Sequence, residues 1–280
     1  MVLPACASLA IVLTTLPGTV GYGQRPKTLQ RVSSNVKAVD LKNEEGGVIL
    51  VGSEFCLEAT VTVNAELDNM VPSQPLPWTF VMTREPQRLL LAPIDPTLPW
   101  TYTFSYRWRP GGTKAKSNSK VVYRLPYPEE NQWKVIQGNF GKRTHGQGSG
   151  DEYSVDWAMP EGSTVCAARP GVVIAIKQDS DAGGVGMEFF HLNNYVILRH
   201  DDNTCGSYMH LQKDGALVEI GQKVKVGDKI GLSGNTGNSA GPHLHFGVYI
   251  NRDGIERQSF PIRWKTSQGI LDQLVEGQSY

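Results

Sequence analysis

The chain has 280 residues, with 27 Lys plus Arg against 27 Asp plus Glu and a formal net charge of zero. Balanced charge removes the basic excess that phosphate contacts require, so nucleic acid is not an expected partner. The length is sufficient for two modest domains.

In chain order, the stretch from Met1 to about Gly23 carries no charged residue and has an apolar centre, Leu9-Ala10-Ile11-Val12-Leu13. Pro4, Pro17 and Gly18 break it, and it falls short of the roughly 20 apolar residues of a membrane-spanning helix. It reads as a cleaved signal peptide over 1–23, with Gly21-Tyr22-Gly23 as the small-residue cleavage site. A lipoprotein site at Leu3-Pro4-Ala5-Cys6 is disfavoured because no apolar run precedes Cys6. The expectation is a protein secreted across the inner membrane, periplasmic or extracellular and associated with the cell wall, with no stable membrane span.

Between residues 33 and 124, short alternating runs are separated by turn residues. Val48-Ile49-Leu50-Val51, Phe55 to Val63 and Tyr102 to Trp108 are examples, with Asp95-Pro96 and Pro110-Gly111-Gly112 as loops. This spacing predicts a small antiparallel β-sandwich. Residues 125–135 open with Leu125-Pro126-Tyr127-Pro128, whose prolines favour extended backbone and interrupt pairing, and are expected to be a linker. Further strands follow at Val172-Val173-Ile174-Ala175-Ile176 and Asn194-Tyr195-Val196-Ile197-Leu198. Long amphipathic helices are scarce, so the expected fold class is all-β. The tract Gly183-Gly184-Val185-Gly186 lacks the Gly-Lys-Ser/Thr ending of a phosphate loop and reads as a hairpin or rim loop.

Without the signal segment, Cys56, Cys166 and Cys205 remain, so one internal pair at most can form. Cys166 and Cys205 are compatible with a bridge in an oxidising compartment and equally with two buried thiols.

The chemistry-bearing residues gather in the second half. In Gly241-Pro242-His243-Leu244-His245-Phe246-Gly247-Val248, two imidazoles are separated by one residue. On a strand both leave one face while Leu244, Phe246, Val248 and Ile250 enter a core. Ser207-Tyr208-Met209-His210-Leu211 is a second short run, read with Tyr208 and His210 on a shared face. In Tyr153 to Ala158, Val155 and Trp157 suit a core and Asp156 points the other way. Thr144-His145-Gly146 lies upstream in a polar, Gly-rich loop. His and Asp meet the needs of a catalytic zinc, which takes three protein ligands and keeps one position for water. No His-Glu-x-x-His helix is present, which excludes the helical zincin design. His191 and His200 fit no ligand position and are read as structural or exposed.

The ordered motifs Tyr208-Met209-His210-Leu211, Gly221-Gln222-Lys223-Val224, Gly227-Asp228-Lys229-Ile230-Gly231, Ser233-Gly234-Asn235-Thr236-Gly237 and Gly241 to Phe246 resemble the lysostaphin-type peptidoglycan metallopeptidases. The run from Tyr153 to Pro160, continued by Glu161-Gly162-Ser163-Thr164-Val165 and Ala167 to Val173, is similar to the same family's first ligand strand. The resemblance spans roughly residues 130 to 255. It implies a metallopeptidase domain over 136–255, built on an antiparallel β-sheet with a narrow groove, and a C-terminal extension over 256–280. It further implies Zn2+ held by His145, Asp156 and His245, with His210 and His243 in catalysis, and peptidoglycan peptides as substrate.

One departure stands out. Many members place the first His four residues before the Asp, where this chain has Glu152. A branch of the family supplies that His from a longer loop, and His145 suits the pattern, so His145 is preferred over Glu152 as ligand. The alternative function is a non-catalytic peptidoglycan-binding regulator that activates another cell-wall hydrolase, since members that lack zinc ligands act in that way. Retention of Asp156, His210, His243 and His245 favours the enzyme.

Overall fold

The computed structural model describes residues 33–116 and 120–280. The expected signal segment lies outside the described residues. Among them, the helical content is one short 3-10 turn, Met187–Leu192, and the remainder is strands, mostly antiparallel, and loops. The fold is all-β, and no described helix is long and apolar enough to cross a membrane.

The first part consists of two facing sheets. One has the strand order Asn35–Asn43, Gly46–Glu54, Gln87–Pro93, Met70–Pro72; the other has Trp78–Met82, Ala59–Asp68, Thr101–Pro110. Alternation along the strands sends Ile49, Val51, Leu89 and Leu91 from one sheet and Val61, Val63 and Met82 from the other into a shared apolar cluster. The turn between the first two strands needs Gly46: its φ is +149°, and a Cβ there would lie 2.3 Å from the Leu91 carbonyl oxygen.

The second part is organised by a larger sheet. Its order is Lys223–Val224, Gly171–Lys177, Tyr195–Arg199, Cys205–Met209, Leu244–Asn251, Val155–Trp157, Val135–Gln137, with Arg257–Ser259 paired to Leu244–Asn251. Val173, Ile176, Val196, Leu198, Tyr208, Leu244, Phe246 and Val248 enter one cluster, together with Trp157 and Trp264. Ile174, Ala175, Ile197, Cys205 and Tyr249 enter the cluster they share with the sandwich. The central strands are therefore covered on both faces, which is why Val172 to Ile176 is a continuous apolar run instead of an alternating one. Full burial of a side chain such as Phe246 is worth roughly 1.5–3 kcal/mol.

The segment expected to be a linker is tied into this second core. Tyr127 is buried, its hydroxyl donates to the Tyr280 carbonyl at 3.0 Å, and its ring lies 5.9 Å from that of Trp157. The expected C-terminal extension contributes Trp264, whose ring centroid is 5.5 Å from that of Trp157. Strand Arg263–Thr266 pairs in parallel with Val122–Arg124, which clasps the two ends of this part together. Residues 31–280 form one compact unit. Cys56, Cys166 and Cys205 are buried free thiols, so the Cys166–Cys205 bridge considered from sequence is not formed.

Candidate metal centre

The neighbouring strands Val155–Trp157 and Leu244–Asn251 are antiparallel, with Asp156 directly opposite His245. Their apolar neighbours Val155, Trp157, Leu244 and Phe246 anchor the opposite face in the core. Asp156 Oδ1 lies 2.9 Å from His245 Nδ1. His145 reaches the same point from the loop before Asp156, with Nε2 3.2 Å from His245 Nδ1 and 3.4 Å from Asp156 Oδ1. The ligand atoms of these three residues all lie within 4.8 Å of one another.

A metal fits this arrangement on chemical grounds. His145 Nδ1 faces the Gly138 carbonyl at 3.2 Å, which can only accept, so Nδ1 carries the proton and Nε2 presents a lone pair. That lone pair, the Asp156 carboxylate and His245 Nδ1 converge, and only a cation among them relieves the repulsion. A proton on His245 bridges some of these contacts; a metal ion serves all three. Two ligand atoms about 2.05 Å from a tetrahedral zinc lie about 3.3 Å apart, close to the spacing here.

The loop that carries His145 is fixed by Gln137, a residue not singled out in the sequence. Its Nε2 donates to Asp156 Oδ2 and to Thr144 Oγ1, both at 2.9 Å, and its Oε1 accepts the Arg143 and Thr144 backbone N–H groups at 3.0 and 3.2 Å. Glu152 is turned to other work: its carboxylate accepts the Gly148 N–H at 2.7 Å and is not among the converging ligands.

His210 and His243 lie in the same cleft with ring centroids 4.3 Å apart, and His210 is 6.0 Å from the His245 ring. The expectation that Tyr208 and His210 share a strand face is corrected. The strand ends at Met209, and His210 has φ +63°, so the left-handed residue turns its ring into the cleft while Tyr208 is buried in the core. Its backbone N–H donates to Asn193 Oδ1 at 2.9 Å, and Nδ1 donates to the Thr236 carbonyl at 2.7 Å. His243 Nδ1 donates to the Gly241 carbonyl at 2.8 Å and contacts Ser239 Oγ at 3.0 Å. In both rings the contacts among the described residues are made through Nδ1, which leaves Nε2 available for a ligand.

Electrostatics divides the four cleft groups. Burial pushes the His210 imidazole down to about 3, helped by His243 and His245, and burial also lowers His243. Both rings are therefore neutral at pH 7. Burial opposes charge on His245 too, but Asp151 and Asp156 outweigh it and raise its pKa to about 9 in the metal-free protein. Burial likewise disfavours ionised Asp156, yet hydrogen bonds from His145 and His245 hold it far below the usual carboxylate range.

The cleft has a volume of about 840 Å³, within the size range of ligand pockets. Asp156, His210, His243 and His245 line it, joined by Phe190 and Asn193 and, from the sandwich, by Trp108 and Arg109. His191 also borders it and is exposed, whereas His200 is buried elsewhere.

Residues 150–257 match the sequence model of peptidase family M23. Over these residues the chain is similar to peptidase family M23. The M23 match includes Asp156, His210, His243 and His245 and begins after His145, so the part of His145 stands on geometry alone. An uncharacterized metalloprotease of Buchnera aphidicola is 40% identical over 109 residues, which cover 39% of this chain and 26% of the relative. Peptidoglycan DD-endopeptidase ShyA of Vibrio cholerae is 35% identical over 126 residues, covering 44% of this chain and 26% of the relative. The chain thus spans about a quarter of the length of these curated relatives. Among solved structures, the catalytic domain of lysostaphin from Staphylococcus simulans is 27% identical, with a TM-score of 0.31, covering 46% of this chain and 87% of that one.

Proposed function

We propose that the protein is a secreted zinc metalloendopeptidase that hydrolyses peptide bonds of peptidoglycan, in the cross-bridge or the stem peptide. The observation that carries this reading is the convergence of His145, Asp156 and His245 beside two neutral imidazoles in a chain similar to peptidase family M23. The substrate class is carried over from the name of ShyA, a peptidoglycan DD-endopeptidase.

His145 through Nε2, Asp156 through Oδ1 and His245 through Nδ1 would hold the zinc. When bound, zinc supplies a Lewis acid for the scissile carbonyl and brings the pKa of a coordinated water to about 7. The protein's own groups handle the protons. His210 and His243, neutral and with Nε2 free, accept the proton of the attacking water and return one to the leaving amide nitrogen. Their Nδ1 atoms are locked on backbone carbonyls, so neither ring has to reorient during the exchange. The cleft beside His210 and His243, about 840 Å³, leaves room for an extended peptide.

Zinc content, measured together with release of peptide fragments from purified peptidoglycan, tests the reading. One zinc per chain and chelator-sensitive release are expected in the wild type and in Glu152→Ala, and both are expected to vanish in His145→Ala. A folded wild type without zinc and without turnover would overturn the enzyme and favour a non-catalytic peptidoglycan-binding regulator. For secretion, the exported protein is expected to begin near residue 24, which N-terminal sequencing reads directly.

A further inference from the structure

Asp151 is an acidic residue that the zinc ligand set and the proton relay both leave unused. It lies on the loop between His145 and Asp156, and its Oδ1 faces His245 Nε2 at 3.5 Å. That nitrogen is buried and has no hydrogen-bond partner among the described residues. The separation is long for a hydrogen bond and within reach of an ion pair, so the carboxylate acts on the ring mainly through its charge.

Asp151 is itself firmly oriented. Arg257 Nη2 binds the same Oδ1, and Ser154 Oγ donates to it at 3.2 Å. Arg257 is on the strand beside Leu244–Asn251, opposite Asn251, and its guanidinium carbon lies 5.2 Å from the Tyr249 ring centroid. Gly150 allows the loop to press against that arginine, because a Cβ at 150 would lie 2.8 Å from Arg257 Cγ.

A neutral imidazole carries one N–H, and the partner of one nitrogen decides which atom presents the lone pair. A carboxylate next to Nε2 draws the proton there. Nδ1 is then the free nitrogen, and it is the one aimed at Asp156 and His145. We infer that Asp151, held by Arg257 and Ser154, is a positioning residue for the metal centre: it fixes His245 in the Nε2–H form and increases the basicity of Nδ1 toward zinc.

The inference rests on the zinc reading above, and its test is independent of turnover. Zinc affinity is measured by competition with a chromophoric chelator in the wild type, Asp151→Asn and Asp151→Ala, with thermal unfolding of each metal-free protein as a check on folding. Loss of an outer carboxylate partner is expected to weaken zinc by about 10- to 100-fold. A second signature comes from the zinc-loaded proteins: the His245 Nε2–H proton resonance, shifted downfield by the carboxylate in the wild type, is expected to move upfield in Asp151→Asn. If Asp151→Ala does not fold, the near-isosteric Asp151→Asn carries both comparisons. Wild-type affinity and an unmoved resonance in a folded variant would overturn the inference, as would a wild type that takes up no zinc. A wild type that binds zinc but releases no peptide would sink the peptidase alone and leave the affinities to decide on Asp151.

Discussion

Asp156 and His245 are register partners on adjacent antiparallel strands, and their side chains meet with Oδ1 and Nδ1 2.9 Å apart. In the metal-free protein this contact is a charged hydrogen bond, since the two carboxylates near His245 raise its pKa to about 9.

On the proposed reading, zinc would have to displace that proton. Below pH 9 the metal-free ring carries a proton that the bound form lacks, so affinity is expected to fall by about tenfold per pH unit on acidification. Titration calorimetry at pH 7.5 in buffers of different ionisation enthalpy is expected to show about one proton released per zinc from this residue. An affinity that does not change between pH 6 and 8.5 would contradict the assignment of His245 Nδ1 as a ligand atom.

Asp156→Ala removes one of the three proposed zinc ligands and the carboxylate acceptor that Gln137 and His245 share. Structural zinc sites with four ligands bind with about 10–16 kcal/mol, so losing one ligand costs roughly 3 kcal/mol or more, a drop in affinity above a hundredfold. Metal content after dialysis against a weak chelator checks this. Zinc retained at wild-type level would exclude Asp156 from the site.

His210→Ala and His243→Ala are expected to separate chemistry from metal binding. Both rings are anchored through Nδ1 to backbone carbonyls, and neither is among the three converging ligands. Zinc content is expected to be unchanged while kcat falls by about 10²–10⁴, the usual contribution of a general acid or base. Full turnover in both variants would remove them from the mechanism.

Much of this site could be read from local pattern. Alternation around His245 and around Asp156 required only knowledge of which neighbours are apolar, and Leu244, Phe246, Val155 and Trp157 are all in the core. The position of His210 was less legible, because a left-handed residue at a strand end breaks the alternation that placed it on the face of Tyr208. Gln137 and Arg257 carry no local signal at all. Gln137 meets Asp156 19 positions away and Arg257 meets Asp151 106 positions away, contacts that exist only after the sheet has closed. The packing of Tyr127 in a proline-rich segment was hidden for the same reason, since its partner carbonyl belongs to Tyr280.

His200, away from the metal centre, predicts a stability loss in mild acid. Its Nδ1 donates to the Pro170 carbonyl at 2.8 Å, its Nε2 is buried without a hydrogen-bond partner among the described residues, and burial pushes its pKa down to about 4. Above the ordinary value of 6.5 the ring is neutral in both folded and unfolded chains, so it adds no pH dependence there. As pH falls from 6.5 toward 4, the unfolded chain binds a proton that the folded one refuses, and up to roughly 3 kcal/mol of stability is lost. Urea unfolding of the wild type and of His200→Asn at pH 7.5 and 4.5 checks this. The wild type is expected to lose more than the variant across that interval, and equal losses would show that His200 does not titrate as a buried group.

The sandwich also bears on the part that carries the candidate metal centre. It covers Ile174, Ile197, Cys205 and Tyr249 on the large sheet, and it is stitched there by hydrogen bonds from Ser34 N–H to the Ile176 carbonyl and from Leu57 N–H to the Ile174 carbonyl. Asn251 Nδ2 donates to the Pro110 and Gly111 carbonyls at 2.9 and 3.0 Å, and Arg199 pairs with Glu58 at 2.7 Å. A fragment of residues 120–280 would expose that apolar face and leave the Asn251 amide without these acceptors. It is expected to be insoluble, or to unfold at a much lower urea concentration than the 31–280 unit. In the intact chain, Ile197→Ala is expected to cost about 2–5 kcal/mol, as for other buried large-to-small changes. A fragment that unfolds at the same midpoint as the 31–280 unit would show that the large sheet is stable without its cover, and that the sandwich serves only to wall the cleft at Trp108 and Arg109.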